Sequence, residues 1–266
     1  MSVDPWLDAL HASSSRLAAA VDGLSDEELS RASYSKDWTI AQVLSHLGSG
    51  AEIFTGLLEL GIAGKTEMPG QEEFVAIWDR WNALSAPEQR AQWRESDARH
   101  LALIDSLSAE QRESVRVPFF VGPIDLLTYA GFRLSEQSVH AWDVEVALDP
   151  DAATIPAAEI DLLWERLDQV ASRAANADTL TRLAPANVTV RRTDAPDDVA
   201  ALLLDSELHF SPGKAAEPTI GSVTGPTEAL LRLVYGRNRP ERDGVTVVAT
   251  ADAVTLEDLR ALFPGF

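Results

Sequence analysis

The sequence predicts an α-helical domain over residues 1–150, followed by a small α+β domain with an antiparallel sheet over residues 151–266. Three observations lead to this fold class. Apolar residues recur at helical spacing through the first 150 positions. Asp149 and Pro150 close the last of these segments, since proline cannot continue a helix. Beyond Pro150, short runs rich in β-forming residues alternate with helical segments, which is typical of an α+β domain.

The helices of the first domain are predicted from apolar periodicity and from capping boxes, in which Ser or Thr precedes Glu or Gln by three positions. The capping boxes are Ser25–Glu28, Thr39–Gln42 and Ser108–Gln111. A first helix contains Leu7 to Leu24, and longer helices follow over about 39–60, 71–84, 87–107 and 124–148. Residues 115–123 are irregular or extended and end at Gly122-Pro123.

The second domain begins with a helix over about 156–176, which leads into four predicted strands. These strands cover residues 188–192, 200–205, 207–210 and 245–250. Two further helices are expected over about 226–235 and 255–263, the first of them ending at Gly236. We therefore expect helices packed on an antiparallel sheet.

The charge of the chain limits its partners. It has 42 acidic and 22 basic residues, and its formal net charge is −20. Such a surface repels the phosphates of nucleic acids and anionic membranes, so neither is an expected partner. The N-terminal segment lacks the basic and apolar regions of a signal peptide, and no stretch approaches a membrane helix. We expect a cytoplasmic protein.

The chain contains no cysteine, and this limits its chemistry. Disulfides, thiolate metal ligands and a cysteine nucleophile are all excluded. Any thiol chemistry must therefore use a thiol that is brought in from outside.

A candidate metal site consists of His46, Glu136 and His140. Glu136 and His140 are four residues apart on a predicted helix, so their side chains lie on one face and can reach one ion. His46 lies on the apolar side of another helix, between Val43 and Leu47. Taken alone, the pair also suits a helical hydrogen bond or a solvated stripe, and the histidine suits a core residue. Together they supply two imidazole nitrogens and one carboxylate oxygen, which suit zinc and leave a position open for water or substrate.

Two motifs around these residues resemble those of the mycothiol-dependent maleylpyruvate isomerase family. They are Trp38-Thr-Ile with Val43-Leu-Ser-His46-Leu, and Arg133-Leu-Ser-Glu136 with His140-Ala-Trp-Asp143. The segment Leu231-Arg-Leu-Val-Tyr-Gly-Arg237 is similar to the Gly-Arg signature of the family's C-terminal domain, so the resemblance covers nearly the whole chain. It implies a DinB-like four-helix bundle followed by a sterol-carrier-like α+β domain. It also implies that His46, Glu136 and His140 bind a divalent metal.

The resemblance further implies an enzyme that uses a divalent metal, with zinc expected, and mycothiol or a similar small-molecule thiol. A metal-bound thiol loses its proton readily, and the thiolate attacks an enedioic or other electrophilic substrate. An isomerase releases the thiol after the substrate bond has rotated, whereas an S-transferase leaves it attached. Isomerase-like members carry an Arg-Asn pair in the third helix, where this chain has Trp81-Asn82 preceded by Arg80. This departure leaves both reactions open.

Arg237 and Arg80 are the candidate catalytic residues outside the metal site. Arg237, which is also the candidate cofactor-binding residue, is expected to contact a carboxylate or a sugar, because a guanidinium binds a carboxylate bidentately. Its alternative role is to cap the carbonyls at the helix end beside Gly236. The alternative for Arg80 is a surface residue without a catalytic role.

Residues that flank the ligands have supporting roles. Arg133 is expected to pair with the glutamate one turn further on and to tune it as a ligand. Asp143 either accepts the second N–H of His140 or lies in solvent. Trp38 and Trp142 are expected to pack in the core rather than to contact substrate.

Two other functions fit the same residues. A metal-dependent hydrolase would use the open position for water, although no general base stands clearly beside the ligands. A small-molecule or lipid-binding protein would use the α+β domain to hold an apolar ligand. Thiol conjugation, hydrolysis and ligand-retention assays distinguish the three functions.

Overall fold

The chain divides into two units, Met1–Ile155 and Pro156–Phe266. The computed structural model describes residues 2–213 and 218–265. The first unit is helical, as the apolar periodicity predicts. Its helices within the described residues are α1 (Asp4–Val21), α2 (Asp26–Leu29), α3 (Ile40–Ile62), α4 (Gln71–Asn82), α5 (Ala86–Asp105), α6 (Ala109–Ser114) and α7 (Leu126–Leu148). In the part of the chain that is described, no helix has the length and apolar character needed to cross a bilayer.

The four longest helices, α1, α3, α5 and α7, form a four-helix bundle. Helix α3 packs against both α5 and α7, and α1 packs against α7. Apolar side chains from these helices and from α4 meet in a core that includes Leu17, Val21, Ile40, Val43, Leu44, Leu47, Trp81, Trp93 and Val144. Gly48 of α3 takes part in this packing, because a Cβ there would overlap the Trp81 ring. The packing fixes α3 beside α7, and these two helices carry the predicted metal ligands.

The predicted capping boxes are confirmed at the starts of α2, α3 and α6. At α3, the Thr39 hydroxyl accepts a hydrogen bond from the Gln42 amide at 3.2 Å, and the Gln42 side chain accepts one from the Thr39 amide at 2.8 Å. Helix α7 begins slightly later than expected, at Leu126. Asp125 caps it by accepting from the Thr128 amide at 2.8 Å. Side-chain caps therefore define the first turns of both ligand-bearing helices.

In the described residues, the second unit combines helices with a five-stranded sheet. Its helices are α8 (Ala157–Glu165), α9 (Leu167–Ala174), α10 (Ala177–Leu183), α11 (Thr227–Val234) and α12 (Leu256–Leu262). Its strands are β1 (Ala186–Arg192), β2 (Val199–Leu204), β3 (Leu208–Pro212), β4 (Gly221–Gly225) and β5 (Thr246–Ala249), in the order β3-β2-β1-β4-β5. Neighbouring strands are antiparallel except β1 and β4, which are parallel. The expected antiparallel sheet is thus a mixed sheet with one parallel pair.

Three elements of this unit differ from the prediction. The single helix expected at its start is interrupted at Arg166, whose backbone leaves the helical region with φ −105° and ψ 5°. Both halves pack on α11, but α9 also packs on β3, where the Asp168 carboxylate accepts from the Phe210 amide at 2.7 Å. Helix α10 and strand β4 are not predicted by the apolar pattern. In β4, a Cβ at Gly221 would lie 2.7 Å from the Val248 carbonyl, so the close approach of β5 requires glycine.

Candidate metal centre

The predicted ligands lie together in the seam between α3 and α7. His46 is in the second turn of α3, and Glu136 and His140 are one turn apart in the middle of α7. Their ligand atoms all lie within 4.8 Å of one another. His46 Nε2 is 2.9 Å from Glu136 Oε2, and His140 Nε2 is 3.7 Å from the same oxygen. Two imidazole nitrogens and one carboxylate oxygen are therefore close enough to hold a single ion.

Asp143 lies behind His140 and orients its ring. The Asp143 side chain is fully buried, and its Oδ2 is 2.9 Å from His140 Nδ1. Because a carboxylate accepts hydrogen bonds, this contact places the ring proton on Nδ1 and leaves the lone pair on Nε2, the nitrogen beside Glu136. Of the two roles considered for Asp143, the structure supports the acceptor of the second N–H.

The electrostatic environment of α7 favours the protonation states that a metal requires. Partial burial raises the pKa of the Glu136 carboxyl, but the hydrogen bond with His46 and the charges of both histidines and Arg133 have a larger opposite effect and lower the pKa to about 2. Burial lowers the pKa of His140, and this outweighs the raising effect of its hydrogen bond with Asp143. At neutral pH the glutamate is a carboxylate and His140 is a neutral imidazole, and both forms bind divalent cations.

One side of the cluster opens to solvent. The side chains of His46 and Glu136 are 35% and 44% exposed, whereas that of His140 is 9% exposed. Three protein ligands and an open side are typical of a catalytic zinc site, whereas a structural site has four protein ligands. Within the described residues this cluster contains three such groups. The donor set therefore fits a divalent metal with a position left for another ligand.

Trp38 packs against the bundle core, as expected, and it also borders the candidate ligands. Its ring centroid is 5.0 Å from that of His46 and 5.9 Å from that of His140, with the second pair stacked. Ser33 holds the tryptophan backbone by donating to its carbonyl from the amide at 2.8 Å and from the hydroxyl at 2.9 Å. Asp37 adopts a left-handed φ of 64° in the same turn. The sequence feature that could have indicated this position is that Trp38 immediately precedes the capping box of α3.

Arg133 and Trp142 are buried in α7 near the cluster. Trp142 lies edge-on to Tyr34 with ring centroids 4.9 Å apart, as expected of a core residue. Arg133 was expected to pair with Glu136. Its Nε and Nη2 atoms instead have no hydrogen-bond partner among the described residues, although its charge contributes to the lowered pKa of Glu136.

Comparison with known families identifies the N-terminal part of the chain. The family described as mycothiol maleylpyruvate isomerase N-terminal domain matches residues 10–145, which is slightly more than half of the chain. The chain belongs to this family. The matched segment contains the three candidate ligands, so the candidate metal site lies wholly within the mycothiol maleylpyruvate isomerase N-terminal domain.

Comparison with solved structures extends the likeness beyond that domain. The mycothiol-dependent maleylpyruvate isomerase is similar with a TM-score of 0.67 and 16% identity, over 93% of each chain, and a mutant of it gives the same values. YfiT from Bacillus subtilis is similar with a TM-score of 0.44 and 21% identity, over 55% of this chain and 87% of YfiT. No curated protein matches the sequence. At 16% identity, this likeness shows that the chain and the isomerase have the same fold over nearly their whole lengths.

The two arginines predicted to be catalytic lie in different surroundings. Arg80 forms an ion pair with Glu52 at 2.5 Å and lines a cavity of about 610 Å³ between α3, α4 and α5, to which the three candidate ligands do not contribute. Arg237 is buried in the second unit and donates from Nη1 to the Tyr235 carbonyl at 2.7 Å. This contact at the end of α11 is the capping role considered as its alternative. Catalytic roles for both arginines stay predictions.

Proposed function

We propose that this chain is a divalent-metal-dependent enzyme that acts with a small-molecule thiol of the mycothiol type. The observation that carries the proposal is the cluster of His46, Glu136 and His140, which lies beside an opening to solvent. Membership of the mycothiol maleylpyruvate isomerase N-terminal domain family supports the choice of a thiol as the second reactant. Because the chain has no cysteine, the thiol must bind from outside.

The residues around the cluster have separate tasks. His46, Glu136 and His140 hold the ion, and their two imidazoles and one carboxylate suit zinc. A bound divalent cation supplies positive charge that makes a neighbouring thiol easier to deprotonate. Asp143 keeps the proton of His140 on Nδ1, and Trp38 shields both imidazoles on one side. The open side then receives the thiol.

Two reactions are proposed for the thiolate, and both begin with a new sulfur–carbon bond. In an isomerase of the maleylpyruvate type, sulfur adds to one carbon of an enedioic double bond, and the resulting single bond rotates. Expulsion of the thiolate then breaks the sulfur–carbon bond and restores the double bond with trans geometry. In an S-transferase, the thiolate attacks an electrophilic carbon and stays attached to it, while a leaving group departs with the electron pair of its bond or, in an addition to a double bond, the neighbouring carbon takes up a proton.

Metal content tests the site directly. Protein incubated with Zn²⁺ and then desalted should hold about one zinc ion per chain, and His46→Ala should hold far less because one of three protein ligands is lost. The control is His11→Ala, which removes an exposed histidine paired with Asp105 and should retain the metal. Elemental analysis gives the ratio, and circular dichroism confirms that the helices persist. Full zinc content in His46→Ala would show that residue 46 serves packing alone.

Parallel activity assays with zinc-loaded protein identify the reaction. They are isomerisation of maleylpyruvate with a thiol, conjugation of the thiol to a small electrophile, and hydrolysis of an ester or amide without a thiol. We expect activity in one of the first two, and its loss in His46→Ala but not in His11→Ala. Activity in the hydrolysis assay alone would refute the proposed thiol dependence and favour a metal-dependent hydrolase. A lipid-like molecule retained through purification, with no turnover, would favour a binding protein.

A further inference from the structure

Arg133 is a buried cation without a hydrogen-bond partner for two of its donor groups. The residue is 1% exposed, and neither Nε nor Nη2 has a partner among the described residues. Buried polar groups in folded proteins are almost always hydrogen-bonded, and a buried charge without a partner is strongly unfavourable. The guanidinium therefore requires a partner that the described chain does not supply.

The guanidinium lies in the α3–α7 seam, about one helical turn from the metal cluster. Its Cζ is 5.2 Å from the centroid of the Phe54 ring of α3. Its Nη1 approaches α3 at Gly50, where a Cβ would lie only 3.1 Å away. Gly50 follows His46 by one turn, and Arg133 precedes Glu136 by about one turn. Arg133 thus occupies the layer next to the ligands in the same seam.

Gln137 is a second buried polar residue of α7 without hydrogen-bond partners in the described part of the chain. It is fully buried, and both its amide nitrogen and its amide oxygen lack partners in the described part of the chain. It follows Arg133 by four residues, so the two side chains lie on one face of α7. It also directly follows Glu136. Arg133 and Gln137 are therefore two buried side chains on one face of α7 whose hydrogen-bonding groups are unused in the described part of the chain.

The unpartnered atoms of Arg133 are those that recognise a carboxylate. Nε and Nη2 form one edge of the planar guanidinium, and such an edge donates two parallel hydrogen bonds to a carboxylate. A water molecule can accept from both donors, but it would leave the charge uncompensated. A carboxylate would satisfy both donors and neutralise the cation, and the amide of Gln137 offers it one more donor.

We propose that Arg133 and Gln137 form a carboxylate-binding subsite beside the metal cluster. The carboxylate belongs to the acidic electrophile or to the thiol, and its binding places the reacting group about one helical turn away, at the cluster. The inference rests on the proposed function and deepens it, because it requires that one of the two reactants be a carboxylic acid.

Titration calorimetry with two acids tests the subsite. The probes are maleate, a small enedioate, and N-acetylcysteine, a thiol that carries a carboxylate. Arg133→Met should weaken the binding of at least one acid by about tenfold to a hundredfold, because a charge-assisted bidentate contact is lost. Arg133→Lys keeps the charge without the fork and should give an intermediate affinity. Arg94→Met, the matched control, removes an exposed arginine paired with Asp22 and should bind as wild type does.

The acid that is affected identifies the source of the carboxylate. Loss of maleate binding alone assigns the subsite to the electrophile, and loss of N-acetylcysteine binding alone assigns it to the thiol. Dimethyl maleate, which has no charge, should bind wild type and Arg133→Met alike. Unchanged affinity for both acids in a folded Arg133→Met protein would overturn the proposal and leave buried water as the partner of the guanidinium.

A pair of glycine variants tests the subsite without removing the charge. Gly50→Ala places a methyl group 3.1 Å from Nη1 and should displace the guanidinium, weakening acid binding by roughly two- to tenfold. Gly56→Ala is the control on the same helix, because its added Cβ has nothing within 4 Å. Gly50→Ala also decides the matter should Arg133→Met fail to fold. Equal affinities in the two glycine variants would then count against the subsite.

Titration of metal-free and zinc-loaded protein separates this inference from the proposed function. Weaker acid binding with normal zinc content in Arg133→Met supports the subsite. Wild-type protein that binds maleate through Arg133 but holds no zinc would refute the metal enzyme and leave the subsite in place. Zinc binding without any acid binding would overturn the subsite alone.

Discussion

Two buried arginines, one in each unit, have opposite surroundings. Arg232 in α11 is 3% exposed, and Arg133 in α7 is 1% exposed. Arg232 donates to both carboxylate oxygens of Asp243 at 2.9 and 2.8 Å, to Glu228 at 3.1 Å and to the Arg237 carbonyl at 2.9 Å. The Nε and Nη2 atoms of Arg133 have no such partner in the described residues.

We interpret the difference as that between a structural cation and a cation that binds a ligand. All three partners of Arg232 are close in sequence, so the guanidinium ties the end of α11 to the loop that follows it. Its hydrogen bonds are complete in the folded chain. The guanidinium of Arg133 contacts Phe54 and Gly50, but its Nε and Nη2 atoms have no acceptor among the described residues. The comparison therefore predicts that the two arginines differ in their effects on stability and on binding.

Arg232→Met should have the largest effect on stability. We expect the free energy of unfolding to fall by up to about 3–5 kcal/mol, because the fully buried Asp243 would keep only Arg239 as a cationic partner. Urea unfolding followed by circular dichroism at pH 7 measures the change. Arg260→Met removes an exposed arginine paired with Glu257 and should cost about 0.5 kcal/mol or less. If Arg232→Met lowers the free energy of unfolding by a similarly small amount, the buried network contributes no more to stability than a surface ion pair.

Acid should weaken the Arg232 network by a smaller amount. Burial raises the pKa of Asp243, but the hydrogen bonds and charge of Arg232, with the Arg239 amide, lower it below the ordinary value of 3.8. A carboxyl whose pKa is lower in the folded state stabilises the protein above its unfolded pKa, and this stabilisation is lost as the pH falls. Below pH 3.8, the unfolding free energy should therefore fall more steeply in wild type than in Asp243→Asn. Equal slopes would show that this carboxyl does not titrate with folding.

Arg133→Met should change the stability of the ligand-free protein least. Methionine keeps an apolar stem near Phe54 and removes an unpaired buried charge, so the free energy of unfolding should stay equal or rise by up to about 1 kcal/mol. Thermal denaturation with and without maleate checks this, since maleate should stabilise wild type but not the variant. A loss of several kcal/mol without any ligand would make Arg133 a second structural cation and remove the contrast.

Much of the site was predictable because local spacing encodes it. The four-residue spacing of Glu136 and His140 places both on one face of any helix, whatever surrounds it. The Thr39–Gln42 capping box likewise begins α3 at the position that puts His46 in its second turn. Family membership then joins the two motifs, which spacing alone could not do.

The features that were missed depend on partners distant in sequence. β4 is short and contains two glycines, so its strand character comes from pairing with β1 and β5 rather than from its residues. The contact of Trp38 with both histidine rings depends on the turn at Asp37 and on the packing of α3 against α7. The spacing of Arg133 and Glu136 in the sequence predicts an ion pair. Only the packed structure shows that Nε and Nη2 of Arg133 have no partner among the described residues.

The distance in sequence between the ligands has a consequence for folding. His46 and Glu136 are separated by 90 residues. An ion held by both would cross-link α3 to α7, much as a disulfide would, in a chain that has no cysteine to make one. The unfolded chain cannot present the same donors at one point, so each tenfold rise in free metal above the dissociation constant would add about 1.4 kcal/mol to the stability of the bundle. The stability of the folded protein would then depend on the concentration of free metal around it.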